Sequence, residues 1–335
     1  MKPHFKSGAF LFLKLSSLFI VLEKEIKNNP SLDKRLKYQV TLHVIIFIWG
    51  FTAILGKLIE TNAFVLVWYR VLIAGVSLWL LLFLLRRDRK IKKVKDRWRT
   101  IGVGAIVALH WLTFYLSIKY STASLTIICL ATTTIHVAWL EPLVMKRKFL
   151  WSELIIGLFI IGGIYLIANQ GTQENLGTGI ALGLFAALLA ALFSVFNQKL
   201  VQTVSASKIT LYEMFSATLV MTIFLAVNGQ ISASALTISI NDILLLLFLG
   251  IVCTSIAFLV TVEIQKLLGA FTVTLSINME PIYTLGLAAW ILNEHQKLSP
   301  SFYYGASIIV FAVFGNAFLK RYQKKRLKKT SQSKA

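Results

Sequence analysis

Long apolar stretches separated by short polar ones dominate this chain. Crossing about 30 Å of hydrocarbon takes a helix of about 20 apolar residues. Ten stretches meet that length, running roughly over 38–59, 64–85, 100–119, 121–143, 150–169, 177–198, 209–228, 242–265, 270–292 and 301–320. The connections are short and polar, as in Gln170-Gly171-Thr172-Gln173-Glu174-Asn175. No stretch between spans is long enough to fold by itself. The pattern predicts an all-α integral membrane protein, one polytopic bundle of ten transmembrane helices.

Composition agrees. Hydrophobic residues make up 57% of the 335 and charged ones 15%, whereas soluble domains carry about 25% charged residues. A water-soluble enzyme and a disordered chain are both disfavoured by that balance. The net charge of +21 would suggest nucleic acid in a soluble protein. Its distribution points elsewhere. With a cytoplasmic N-terminus, all of the 35 Lys and Arg fall on the cytoplasmic side except Lys57, Arg70, Lys119 and Lys297. The positive-inside rule then places both termini in the cytoplasm and requires an even number of spans. The run Arg86-Arg87-Asp88-Arg89-Lys90 reads as a cytoplasmic loop against anionic lipid, and no nucleic-acid partner is expected. The expected setting is the bilayer of a bacterial inner membrane.

Gly8–Leu22 is apolar but only about 15 residues long and is interrupted by Lys14, too short for a span. Glu23-Lys24-Glu25 follows where a signal peptide would place small residues, so an interfacial helix is favoured. Residues 1–37 therefore read as an N-terminal extension and 321–335 as a basic tail. Cys129 and Cys253 fall mid-span and form neither a disulfide framework nor a metal site. No cofactor is expected.

The two halves repeat. Phe51-Thr52-Ala53-Ile54-Leu55-Gly56-Lys57-Leu58-Ile59 aligns with Phe193-Ser194-Val195-Phe196-Asn197-Gln198-Lys199-Leu200-Val201. Trp68-Tyr69-Arg70 aligns with Leu211-Tyr212-Glu213, Gly104 with Gly250, and Gly157 with Gly305. The halves are then 38–169 and 177–320, five helices each. Five is odd, so the second enters the membrane from the opposite side. Such an inverted repeat is common in secondary transporters, where two packed halves open a shared site to alternate sides. Duplication of a stable bundle without transport is the alternative.

Ten spans, the five-plus-five repeat, Trp49-Gly50, Tyr69-Arg70, Glu280-Pro281 and the Glu294 that ends the ninth span together resemble the EamA-type transporters of the drug/metabolite transporter superfamily. The resemblance covers about residues 38–320. It implies secondary transport of metabolites, amino acids or toxic compounds, usually export and often proton-coupled. One departure stands out: where the family's first repeat carries Pro and Glu, this chain has Thr133 and Lys146.

Ionisable residues in hydrocarbon are costly and so are leads to function. Glu280 lies about halfway along the ninth span. Pro281 beside it removes a backbone donor and clashes with the carbonyl of Ile277, and Asn278 is near enough to share the region. This group suits amine or cation binding or proton relay; it equally suits a buried Glu that pairs with another helix. Glu141-Pro142 stands at a different depth and is not its equivalent. Arg70 and Glu213 lie at mirrored depths, either snorkelling to the interface or, for Arg70, contacting an anion. His110 and His136 can shuttle protons or serve as packing residues. Trp49 and Trp111 can line a cavity.

The motifs of intramembrane enzymes, His-Glu-x-x-His and Gly-x-Ser-x-Gly, do not occur, and no phosphate loop suggests a pump. The expected partners are a small-molecule substrate and protons; oligomeric state is not legible. A non-transport membrane protein and an intramembrane enzyme remain the alternatives.

Overall fold

A computed structural model of the chain describes residues 32–146, 175–232, 236–268, 279–293 and 299–312, with isolated positions between them. Among these residues the chain forms helices and connections and no strand. In hydrocarbon every backbone N–H and C=O must be paired within the segment, which a helix achieves.

In chain order the helices are α1 (Leu32–Leu58), α2 (Ala63–Leu84), α3 (Val94–Tyr120), α4 (Ala123–Leu130), α5 (Thr133–Met145), α6 (Leu176–Leu200), α7 (Ala206–Val227), α8 (Ile240–Leu247), a π-helical segment (Phe248–Ile256), α9 (Ala257–Leu268) and α10 (Glu280–Ile291). A shorter apolar helix, α11, follows over Pro300–Ala312. Seven helices among the described residues are long and apolar enough to cross a membrane, counting α4–α5 and α8–α9 as one each. They correspond to the first four and the sixth to eighth stretches of the sequence pattern. The ninth and tenth are described only in part, the fifth only at isolated positions, and the segment 1–31 lies outside the described residues.

Several boundaries move. α1 begins at Leu32, before the first apolar stretch, so the extension expected over 1–37 already includes helix. α3 begins at Val94 rather than at residue 100, with Asp96 in its first turn. Helix starts are capped where the sequence supplies an oxygen: Asn62 Oδ1 accepts from Val65 N at 3.0 Å and Thr122 Oγ1 from Leu125 N at 3.0 Å, each satisfying a donor that the helix leaves free.

α3 packs most extensively on α6 and α7, and α2 on α7 and the π segment. α10 lies on α1 and α4. The shared core joins Val67 and Val71 of α2, Trp111 and Tyr115 of α3, Met214 of α7 and Cys253 of the π segment. A second cluster seats Phe302, Ala306 and Ile309 of α11 against Leu125 and Ile128 of α4. Val227, Trp290 and Phe311 are more than three-quarters exposed, an arrangement that is stable where the surrounding solvent is lipid.

Candidate functional site

Two helices stop and restart halfway across the bundle. In the fourth span, α4 ends at Leu130 and α5 starts at Thr133. The turn is held by Thr132 N→Cys129 O (3.1 Å), Ile135 N→Thr132 O (2.9 Å) and His136 N→Thr132 O (3.3 Å). In the ninth span the same bonds recur as Met279 N→Ser276 O (3.0 Å), Ile282 N→Met279 O (3.1 Å) and Tyr283 N→Met279 O (3.3 Å). Every donor and acceptor is displaced by the same 147 positions. At the second break, Pro281 sits in the first turn of the new helix, where its missing N–H costs nothing. The expected kink inside a continuous ninth span is therefore a helix start at Glu280. Pro281's side chain, Asn278 and Glu294 lie outside what the structure describes.

Between the breaks lies a cavity of about 130 Å³. Five of the residues expected from sequence meet there: Trp49, Arg70, His110, Trp111 and Glu280. Thr133 and Glu280, the first residues of α5 and α10, both line it, so the N-terminal ends of two half-helices, which carry partial positive charge, face one space.

Arg70 is the best-held of these side chains. It is 3% exposed, which corrects the reading in which it snorkels to the interface. Its Nε donates to Thr254 Oγ1 and its Nη1 to Tyr115 OH, both at 2.8 Å. The guanidinium lies 4.2 Å from the centre of the Trp111 ring and 5.6 Å from that of Tyr115, within the range of cation–π attraction. Trp111 is in turn edge-on to Phe258 at 6.1 Å. No described carboxylate pairs with Arg70.

The π segment makes this arrangement possible. Thr254 Oγ1 donates to Leu249 O at 2.7 Å, and Cys253 O accepts from Trp49 Nε1 at 3.1 Å. Wider winding changes which carbonyls are free, and short π segments recur at functional sites. Across the cavity, His110 Nδ1 lies 2.8 Å from Ala186 O. A carbonyl only accepts, so Nδ1 carries the hydrogen and Nε2 of the neutral ring is left with its lone pair. Phe193 packs edge-on to this imidazole at 5.3 Å.

Glu280 lines the cavity, is 7% exposed and has no hydrogen bond or ion pair with a described residue. Two sequence candidates lie elsewhere. Glu213 is fully buried in α7, packed against α3 rather than reaching an interface, which corrects its snorkelling alternative. Asn197, which lines the cavity, sits beside that carboxyl, yet neither carboxylate oxygen makes a hydrogen bond of good geometry. His136 is on α5, edge-on to Trp139 at 6.4 Å, and is not part of the cavity lining.

Sequence reasoning missed Thr133, Asn197 and Gln265, which add polar atoms to the cavity wall. A scan for amides inside spans would have found the last two. Among the described residues no three His, Cys, Asp or Glu side chains converge to hold a metal ion.

The model of the EamA-like transporter family matches the chain twice, at residues 37–169 and 177–318. An uncharacterized transporter of Archaeoglobus fulgidus is 26% identical over 270 residues, covering 77% of this chain and 90% of that one. The uncharacterized transporter YdfC of Bacillus subtilis is 26% identical over 231 residues, 67% and 72% of the two chains. One from Clostridium kluyveri is 23% identical over 219 residues, 62% and 70% of the two. A protein of known crystal structure shares the fold, with a TM-score of 0.61 at 12% identity over 85% of this chain and 98% of that one.

Proposed function

Because the chain belongs to the EamA-like transporter family, we propose that it is a secondary transporter (permease) that moves one small metabolite, amino acid or drug-like molecule across a bacterial inner membrane by alternating access. It is a multi-pass membrane protein of a transporter family, and its cavity is the substrate site of this reading. The observation that carries the proposal is the pair of helix breaks with equivalent backbone bonds, 147 positions apart, facing one cavity that holds Arg70 and Glu280. Discontinuous helices at matching places in two halves are how such carriers build a site at mid-membrane.

Two inverted five-helix repeats, 38–169 and 177–320, are supported by the two matches to the family model and by the shared bond pattern. The charge asymmetry supports cytoplasmic termini. Arg70 supplies an anion contact, Trp49 and Trp111 supply apolar walls, and Glu280 and His110 are placed to exchange protons with the bound molecule. Export driven by protons is the direction this reading adopts. Glu213, Asn278, Pro281 and His136 keep a supporting part in the proton path or in its packing.

A comparison of extracellular metabolites from cells with and without the protein tests the function. The compound that accumulates outside should cease to do so with Arg70→Ala. A profile unchanged by the protein across tested metabolites and drugs would favour a non-transport role.

A further inference from the structure

Three of the four cations that escape the positive-inside pattern (Lys57, Arg70 and Lys119) are buried or bonded to backbone, and two of them close one end of the bundle. This end carries the α1–α2 connection and is the outer one by charge asymmetry. Lys57, from the last turn of α1, donates to Ile118 O (3.5 Å) and Ser121 O (3.3 Å) at the end of α3. Lys119, from the end of α3, donates back to Ile59 O. Each helix thus supplies a cation to the other's free C-terminal carbonyls. Asp242, 4% exposed in the first turn of α8, completes the closure. Its two oxygens accept from Glu60 N (3.1 Å) and Thr61 N (3.2 Å).

The opposite end contains the same parts without the closure. Asp96 stands to Gly104 as Asp242 stands to Gly250, eight residues earlier in a first helical turn. Val201 N→Asn197 O (2.9 Å) repeats Ile59 N→Leu55 O (2.8 Å), so the connection after α6 corresponds to that after α1. Gln202 and Thr203 are then the counterparts of Glu60 and Thr61. Yet Thr203 N bonds back to Leu200 O at 3.0 Å, and Asp96, 8% exposed, pairs among the described residues with Arg99, at 3.6 Å. Lys199, the counterpart of Lys57, is exposed as Lys57 is, but makes no hydrogen bond with a described residue to match those of Lys57 to Ile118 O and Ser121 O. Gln265, the counterpart of Lys119, turns into the cavity and donates to Ser194 Oγ at 3.3 Å. The cavity lining reaches toward this end through Asn197 and Gln265.

We infer that Asp242 and Asp96 are the two gating residues of the transport cycle. Asp242 holds the outer end shut in the conformation seen here. In the opposite conformation Asp96 takes the N–H groups of Gln202 and Thr203 while Asp242 releases its own. The inference rests on the alternating-access reading and adds to it the residues that carry the switch. Because the two clasps belong to different states, removing one biases the equilibrium toward the other.

The test uses the full chain with Ile59→Cys, in intact cells, labelled by a membrane-impermeant maleimide. Ile59 is fully buried under the outer clasp, and the chain without this change, whose Cys129 and Cys253 are buried, sets the background. Asp242→Ala should raise the labelling rate at position 59 by ~3-fold or more, and Asp96→Ala should lower it by a comparable factor. Asp242→Asn keeps one acceptor oxygen and gives a smaller rise, which covers an alanine variant that does not accumulate. A helix cap with no gating part would respond to Asp242→Ala and ignore Asp96→Ala, and that outcome overturns the gate assignment alone. Labelling in none of these backgrounds overturns alternating access together with the gate.

Discussion

Gly104 of α3 rests on the backbone of Glu213 in α7, where a Cβ on the glycine would fall 2.7 Å from the Glu213 carbonyl oxygen. Gly250 stands in the corresponding place against α2, where a Cβ would fall 2.7 Å from Ile73 Cγ2 and 3.2 Å from Arg70 O. The sequence alignment pairs Gly104 with Gly250 and Glu213 with Arg70. The two contacts are therefore one contact made twice, and small residues at such crossings let helices in lipid approach closely.

Adding a methyl at either glycine should force these helices apart. Gly104→Ala and Gly250→Ala should each destabilise the detergent-solubilised protein by about 1–3 kcal/mol, the usual cost of overpacking. Gly102→Ala, with nothing within 4 Å of its Cβ position, should be neutral or slightly stabilising. Thermal unfolding of the three variants side by side checks this. Equal behaviour of Gly102→Ala and Gly104→Ala would remove the close crossing from the account.

Arg70 is held by direction as well as by charge. Lysine keeps the charge but cannot donate to Thr254 and Tyr115 at once while lying flat on Trp111. Arg70→Lys should therefore reduce substrate flux by ~10-fold or more, close to the loss in Arg70→Ala. Tyr115→Phe removes one of the two bonds and should give an intermediate loss. Wild-type flux in Arg70→Lys would leave only a general need for positive charge.

The loop between α2 and α3 is tied to the start of α7 by Asp88 Oδ2 and Lys208 Nζ, 2.6 Å apart. The Lys208 hydrogen bond, then that of the Lys90 N–H, holds the Asp88 carboxyl below its ordinary range. A depressed carboxylate stabilises the tie at pH values above its unperturbed titration, and the effect is lost as pH falls through the depressed value. Trypsin cleavage after Arg89 and Lys90 should thus be unchanged between pH 8 and 6 relative to a distant site. Asp88→Asn should speed it, as should high salt, because the pair is exposed and screened.

Topology offers a separate check. Reporters fused after residue 173 and after residue 235 should read as periplasmic, and one after residue 90 as cytoplasmic. A cytoplasmic signal at residue 173 would break the ten-span inverted repeat.

Much of this architecture is legible in the sequence because hydrocarbon imposes one rule, a continuous apolar length, on each span. The same rule makes rare polar residues informative, and so Arg70, His110 and Glu280 can be named before their geometry is known. The breaks are harder to read. Ala131-Thr132-Thr133 contains no Pro or Gly; its turn is stabilised by threonine hydroxyls that donate to Cys129 O and Leu130 O, both at 2.6 Å. The π segment leaves no mark in composition, since Gly250 and Thr254 suit an α-helix equally well. Glu213 shows the limit of depth counting: position along a span gives its height in the membrane but not whether it faces lipid, headgroups or another helix. The unequal use of Asp96 and Asp242 belongs to one conformation, which a pattern shared by all conformations does not encode.

The central claim is that the cavity between the two breaks carries a substrate with Arg70 and Glu280 as its working groups. Flux into proteoliposomes of purified protein, driven by an imposed pH gradient and using a compound identified by the metabolite comparison, tests it most directly. Gradient-driven flux is expected for the wild type, none for Arg70→Ala, and for Glu280→Gln a flux that is lost or no longer depends on the gradient. Full gradient-driven flux in both variants would contradict it.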